Sequence, residues 1–329
     1  MYSVDVGYAC QSHTPSRGTK LVVPCLWTGI MQDYHASALS HMSDRSRSAI
    51  SLFGFQFGSV AGGGGLDVPL SGKGAKLIWD PNQYARFGGE RLRPASDLLA
   101  AVPLEAPGRI ADLGCGNGKA TAVLAARWPA ADILGIDNSR EMLAAAGGLG
   151  LRARWSCASI ADWQPSERYD LLFSNAALHW LPDHASLLPR LLEMLNDSGV
   201  LAVQMPRNFA APSHALLFDL AESSPWRQRL APLVRRKPVE APEWYHRLLA
   251  PYVHSVTLWE TEYWQTLSGD NPVVAWVKGT WLKPLLDALG DDAPAFEREY
   301  ADRIATAYSP ERNGSTLFPF RRLFFVAVR

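Results

Sequence analysis

The chain has little of what marks a specialised environment. Its four cysteines, Cys10, Cys25, Cys115 and Cys157, show neither paired spacing nor a metal-ligand pattern. A disulfide scaffold is therefore excluded, and a reducing compartment is expected. No apolar run reaches the roughly 18 residues of a membrane span. Charge of neither sign is in surplus: 32 basic and 32 acidic residues sum to zero. Binding a phosphate backbone needs a basic footprint, so neither nucleic acid nor a membrane is expected as a partner. The apolar run 21–31 follows Arg17 and Lys20 in the manner of an export signal, but Pro24 interrupts it and its basic lead is unusually long. Oligomeric state is not readable.

Residues 1–75 lack periodicity. Charges are sparse, Ser, Gly and His are frequent, and Ala61-Gly62-Gly63-Gly64-Gly65 is a flexible break. A poorly ordered extension is expected there, with one folded domain over 76–329. What is present beyond it is a dense αβ signal. The hydrophobic content of 47% belongs to an ordinary globular chain with ample material for a core.

The signal is strongest at 109–139. An apolar strand, 109–113, carries Asp112 and runs into Gly114-Cys115-Gly116-Asn117-Gly118. A helix is expected over 121–128, ended by Pro129, then a strand over 132–136 closed by Asp137. This is the opening β-α-β of a doubly wound sheet, whose ligand belongs at the strand carboxyl ends. The glycines are spaced Gly-x-Gly-x-Gly, whereas a dinucleotide fingerprint needs Gly-x-Gly-x-x-Gly. Asp112 would also repel a pyrophosphate, which argues against a nicotinamide-dependent oxidoreductase. It suits a cationic ligand without phosphate, such as S-adenosylmethionine, and Asp137 is placed to accept both hydroxyls of its ribose. The stretch resembles the first motif of class I S-adenosylmethionine-dependent methyltransferases, Asp-x-Gly-x-Gly-x-Gly. A cofactor made in the cytosol implies a cytoplasmic protein.

Alternation continues downstream. Helix 140–146, strands 151–155 and 169–175, helix 187–195 and strand 200–205 predict a parallel sheet with right-handed crossovers. Residues 209 to about 250, polar and broken by prolines, are expected to form a helical cover over the carboxyl edge of the sheet. A strand over 254–267, helices over 272–289 and 294–307, and a terminal strand over 322–328 follow. Upstream, Asp80 and Pro81 read as a helix start, and Pro94 as the restart of a second helix with Ala95, Leu98, Leu99 and Val102 on its apolar face. Arg91 and Arg93 are expected to flank a proline turn near the glycine loop.

Several of these pieces resemble one family. Trp79-Asp-Pro-x-x-Tyr84, Glu90-Arg-x-Arg-Pro-Ala, Asp112-Leu-Gly-Cys-Gly-x-Gly, Gly135-Ile-Asp-x-Ser, Trp163-Gln-Pro, Asn175-Ala-x-Leu-x-Trp-Leu-Pro-Asp-His184, Gly199-Val-Leu-Ala-Val-Gln-Met-Pro206, Trp276-Val and Arg322-Leu-Phe-x-Val-Ala are similar to the trans-aconitate 2-methyltransferases. The resemblance spans 77–329. It implies a class I, Rossmann-like fold: a mostly parallel seven-stranded sheet with helices on both faces and an antiparallel last strand. It also implies transfer of a methyl group from S-adenosylmethionine to a carboxylate of trans-aconitate. A methyltransferase of this fold acting on another small carboxylic acid or natural product is the alternative.

The cofactor is then expected at Asp112, Gly114, Cys115, Gly116, Asp137, Asn138, Met142, Ser159, Ile160 and Asn175. Ser159 stands where the family usually has an acid that accepts from the adenine amino group; a hydroxyl accepts more weakly, and Asp162, three residues on, is the carboxylate expected to compensate. Carboxylate methylation needs no general base, because the nucleophile has a pKa of about 4. Catalysis is expected from alignment and desolvation, with no catalytic residue and no metal. The non-reacting carboxylates need cationic partners. Arg91, Arg93, Arg207 and Arg322 are the candidates, with Tyr84, His179, Trp180, Asn208 and Trp281 as polar or shape-setting neighbours.

Overall fold

The alternating segments assemble as expected into one sheet. In this computed structural model residues 88–329 are described; the expected extension, the helix start at Asp80 and Tyr84 lie outside them. The sheet has seven strands in the order β3-β2-β1-β4-β5-β7-β6. They are β1 (Arg109–Leu113), β2 (Asp132–Asp137), β3 (Arg154–Cys157), β4 (Tyr169–Asn175), β5 (Leu195–Pro206), β6 (Ser255–Leu267) and β7 (Thr316–Val328). Strands β1 to β5 pair in parallel, and β7 runs antiparallel between β5 and β6. The chain reverses direction between β1 and β4, which leaves a crevice at their carboxyl ends.

Two cores flank the sheet, as strand alternation requires. On one face α1 (Gly88–Ala100) and α2 (Lys119–Arg127) cover Ile110, Ile133, Leu171, Phe173, Val200, Ala202 and Phe324. The expected apolar face of α1 is buried at Ala95, Leu98, Leu99 and Val102. On the other face α4 (His184–Glu193) packs Leu187, Leu188, Leu191 and Leu192 against Leu172, Leu201 and Val203. A shorter helix, α3 (Arg140–Gly147), joins β2 to β3 and is capped by Ser139, whose Oγ accepts from Met142 N–H.

Local departures have physical causes. Helix α1 continues through Pro94 rather than restarting there, so Arg91 and Arg93 lie on a helix and flank no turn. Strand β3 starts three residues later than expected; Trp155 lies over Gly135, where any Cβ would strike its ring. Strand β5 starts at Leu195, five residues earlier than expected, because Asp197-Ser198-Gly199 forms a bulge inside it, pairing having shifted between Tyr169–Leu195 and Leu171–Val200. The helix expected over 272–289 breaks into α8 (Pro272–Lys278) and α9 (Leu282–Leu289).

The cover is larger than the proline-rich segment alone. Helices α5 (Pro212–Ala221), α6 (Arg227–Leu230) and α7 (Pro242–Leu249) come from that segment, and α8, α9 and α10 (Ala293–Ala307) from the β6–β7 connection. Helix α5 is not a polar lid: Leu217, Phe218, Leu220 and Ala221 are buried, and Tyr300 of α10 donates to its Ser213 carbonyl at 2.7 Å. Strands β6 and β7 stay paired past Pro206, as far as Leu267 and Thr316, so their ribbon projects beyond the carboxyl edge.

Candidate functional site

Backbone builds one half of the carboxyl edge. Gly114 and Cys115 donate N–H to the Ile136 carbonyl at 2.8 and 3.0 Å, folding the loop back over β2. Gly114 has φ +77°, and a Cβ there would run into Ala177. Gly116 has φ +53° with open space where a Cβ would stand, so its backbone is bare to a ligand. Asp137 holds the loop: Oδ2 accepts from Gly116 N–H and Oδ1 from Ser139 N–H, both at 2.9 Å. Those bonds use about two of the four acceptor positions of a carboxylate, leaving two for hydroxyls. Burial raises the Asp137 pKa, and these N–H bonds oppose the rise.

Asp112 is buried beneath the loop and accepts from Thr121 Oγ1 at 2.6 Å. Burial pushes its pKa up to about 7, the Thr121 bond pulling it down and the nearby Asp137 charge adding to the rise. Cys115 is also buried, which raises its thiol pKa. Met142 is buried at the start of α3, whereas Asn138 is exposed. Ser159 Oγ accepts from Ala161 N–H at 3.2 Å, and Asp162 is exposed. Sequence reasoning missed Arg190 of α4. Its guanidinium donates to the carbonyls of Trp163 at 2.7 Å and of Ile160 and Ala161 at 2.9 Å, pinning the loop that carries Ser159 and Ile160.

Side chains build the other half. Asn175 lies opposite Gln204 at the ends of β4 and β5, and Arg322, opposite Pro206 and therefore two residues along β7 on the same face, reaches Gln204 diagonally to complete a row. Arg322 is buried, donates to Gln204 Oε1 at 3.3 Å and lies 4.8 Å from the Phe320 ring centroid. Beyond Ala176, held at φ +55°, the turn Leu178–Trp180 carries His179 and Trp180. Trp180 stacks on Trp281 at 4.7 Å, and Trp281 meets Phe209 and Phe218 edge-on at 5.3 and 5.9 Å. The break between α8 and α9 is what delivers Trp281 here. His214 of α5, also missed from sequence, joins this cluster at 6.5 Å from Trp281, with Nδ1 3.0 Å from Ser213 Oγ.

The cluster keeps its histidines neutral. His179 is held well below its usual pKa by burial and then by the charge of Arg322. Burial takes His214 down to about 4. Arg235, a third missed residue, donates to the carbonyls of Trp180 and Leu181 at 3.0 and 3.3 Å and fixes the aromatic turn. His184 steadies the same turn. Its Nε2 faces the Leu178 carbonyl at 2.9 Å and so carries the proton, which leaves Nδ1 to accept from Tyr245 O–H at 2.8 Å.

Not every expected residue converges. Arg207 is drawn away by Glu260 at 2.6 Å and the Glu240 carbonyl at 3.2 Å. Asn208 is structural: its Oδ1 accepts from Arg321 N–H at 3.2 Å and its Nδ2 donates to Ser213 Oγ at 3.4 Å. Arg93 is exposed and lies 5.5 Å from the Tyr263 ring centroid, on the projecting ribbon. Arg91 is in α1, with its side chain outside the described residues. Among the candidate arginines whose side chains are described, Arg322 is the one buried in the row.

The arrangement fits a cationic cofactor. Buried Asp112 Oδ1 and Asn175 Oδ1 meet no hydrogen-bond partner among the described residues. Both are acceptors, at or near the carboxyl ends of β1 and β4. Buried polar atoms of this kind are completed by a ligand or water, and two acceptor oxygens suit an ammonium or sulfonium.

Comparison with known proteins agrees. Residues 110–199 match the family model of a methyltransferase domain. The chain is 47% identical over 252 residues to a trans-aconitate 2-methyltransferase of Azoarcus sp., covering 76% of this chain and 99% of that protein. It is 48% identical over 261 residues to one of Streptomyces coelicolor, covering 76% and 86%. A third, of Streptomyces avermitilis, is 46% identical over 259 residues, covering 76% and 96%. At 46–48% identity over 76% of its length and 86–99% of theirs, the chain belongs to the trans-aconitate 2-methyltransferase family of class I S-adenosylmethionine-dependent methyltransferases.

Proposed function

We propose that the protein esterifies one carboxylate of trans-aconitate in the cytoplasm, yielding the monomethyl ester. The observation that carries this reading is identity of 40–48% to trans-aconitate 2-methyltransferases along 76% of the chain. S-adenosylmethionine supplies an electrophilic methyl group when bound. Gly114, Gly116, Asp137, Asp112 and Asn175 would hold it, with Met142, Ser159 and Ile160 beside its adenosine. The protein's own contribution falls on the acceptor. The buried guanidinium of Arg322 holds a carboxylate that does not react. Trp180, Trp281 and Phe209 strip water from the attacking oxygen, which is already ionised at neutral pH. Because that oxygen already lacks a proton, no general base is needed. Alignment of the two reactants accounts for roughly 7–11 kcal/mol of barrier lowering. The test is a panel of mono-, di- and tricarboxylic acids with methyl-labelled cofactor and mass analysis of the ester. Labelled monomethyl trans-aconitate as the preferred product supports the reading, and preference for a monocarboxylic acid overturns it.

A further inference from the structure

We infer that Gln204 is a specificity-determining residue, donating from its side-chain amide to a non-reacting carboxylate of the acceptor alongside Arg322. The inference rests on the polycarboxylate reading above and adds a residue to it. Gln204 is fully buried in β5, within the Val203-Gln204-Met205-Pro206 segment. Its amide orientation is fixed by chemistry. Guanidinium groups only donate, so the end facing Arg322 Nη1 at 3.3 Å must be Oε1. The NH2 end then points the other way, and Nε2 meets no partner among the described residues. A buried donor without a partner is destabilising, and native proteins keep one where something else completes it.

The neighbours say what completes it. Along the strand ends the exposed chemistry changes sign. Asp112 on β1 and Asn175 on β4 offer oxygen lone pairs, whereas Gln204 on β5 offers N–H groups beside the positive charge of Arg322 on β7. Asn175 and Gln204 are direct register partners, so the change occurs across a single strand pair. Acceptors suit the cationic cofactor and donors suit an anion, which places the boundary between the two reactants there. His179, buried with Nδ1 also unpartnered among the described residues, faces the anionic side from the turn above β5. An amide and a guanidinium together seat one carboxylate with both oxygens engaged. The reacting carboxylate must keep a bare oxygen, so this seat belongs to another. An acid lacking that second carboxylate would leave the buried Gln204 donor stranded, a strong basis for rejection.

The test compares trans-aconitate with crotonate, a monocarboxylic alkenoic acid, in parent enzyme, Gln204→Met and Gln204→Glu. Methionine keeps the length and removes the donors. Glutamate turns the donor into an acceptor that takes Arg322 for itself. Both variants should lower kcat/KM for trans-aconitate roughly 10–100-fold, chiefly through KM. Crotonate turnover should hold or rise, because the donor it leaves stranded is gone, and calorimetric affinity for S-adenosylhomocysteine should stay within about twofold. Equal losses for both acids would show a merely structural role and overturn the inference. So would a kcat/KM for trans-aconitate within about twofold of the parent in either folded variant. Thermal melting shows which variants are folded, and the Glu substitution, being isosteric, carries the comparison should Met not fold. A parent enzyme that esterifies only monocarboxylic acids overturns the polycarboxylate reading and this inference with it. A parent that takes trans-aconitate while the variants are unaffected overturns the inference alone.

Discussion

The two halves of the carboxyl edge are made of different material. Over β1 and β2 the site is backbone, shaped by three glycines at positive φ and tied by Asp137. Over β5 and β7 it is side chain, drawn from the Leu178–Trp180 turn, α5, the α8–α9 break and the projecting ribbon. The first half fits in one continuous stretch of sequence; the second exists only once distant segments have packed. The first presents lone pairs, the second donors and aromatic rings. A shared cofactor with a particular acceptor calls for this division, since the fixed half can serve any reaction and the assembled half can be refitted.

The largest effect should come from breaking the backbone half. Gly114→Val places a branched side chain at φ +77° and against Ala177. Together these should cost about 3 kcal/mol or more, seen as a lost or strongly lowered melting transition and no measurable cofactor binding. Gly116→Ala has the same backbone strain, φ +53°, but open space. It should cost only about 1–2 kcal/mol in stability while losing cofactor affinity disproportionately. Equal behaviour of the two variants would mean that the bare face at Gly116 is not the ligand face.

On the side-chain half, Arg322→Ala should cost about 2–4 kcal/mol in kcat/KM for trans-aconitate, with cofactor affinity little changed. Arg207→Ala should cost less than about 1 kcal/mol there, because its partner is the partly exposed Glu260. A larger loss from Arg207 than from Arg322 would reverse the assignment made here.

The halves also oppose one another in pH. Asp112 titrates near 7 when folded and about 3.9 when unfolded. Between those values the native state holds a proton that the unfolded chain lacks, so this group makes stability fall as pH rises from about 4 to 7. His214 titrates near 4 when folded and about 6.5 when unfolded. There the unfolded chain holds the extra proton, so stability rises with pH from about 4 to 6.5. Asp112→Asn should therefore steepen the rise of stability with pH, by at most about 1.4 kcal/mol per pH unit. His214→Gln should flatten it by a similar limit. Urea unfolding at pH 4.5 to 7 (about half-unit steps) checks both signs, and an unchanged slope in either variant removes that group from the account.

What was legible in the sequence follows the same division. The glycine spacing, Asp112 and Asp137 lie in one αβ unit whose geometry is local, and they are placed as expected. The strand ends of β4 and β5 were legible too, which brings Asn175 to the edge. Arg322 was named as a candidate, but nothing local separates it from Arg207, two positions past Met205 on the adjoining strand. The difference is tertiary: Glu260 lies across the ribbon from one and Gln204 beside the other. His214 was hidden in a helix that reads as polar cover, because burial of α5 depends on α10, more than 70 residues later. Pro94 misled in the opposite way, since a proline is a poor interior residue and α1 nonetheless runs through it.

The smallest effect sharpens the comparison at the seam between backbone and side chain. Asp137→Ala should first set the scale. It removes acceptors for the ribose hydroxyls and releases Gly116 N–H, and should weaken cofactor binding tenfold or more, about 1.4 kcal/mol. Ser159 is a subtler case. Its Oγ already accepts from Ala161 N–H, a local turn bond that an aspartate in the same place also makes. Ser159→Asp would keep that bond through one oxygen and offer the second to the adenine amino group, the charged acceptor being the stronger. Arg190 holds the neighbouring carbonyls of Ile160 and Ala161, so the loop should keep its place and the new carboxylate should gain a partly screened positive neighbour. Calorimetry should show affinity for S-adenosylhomocysteine rising by about two- to fivefold, under 1 kcal/mol. Asp162→Ala, at an exposed position, should change nothing by the same measurement. A loss of affinity in the first variant, or a matching loss in the second, would move the adenine contact from Ser159 to Asp162.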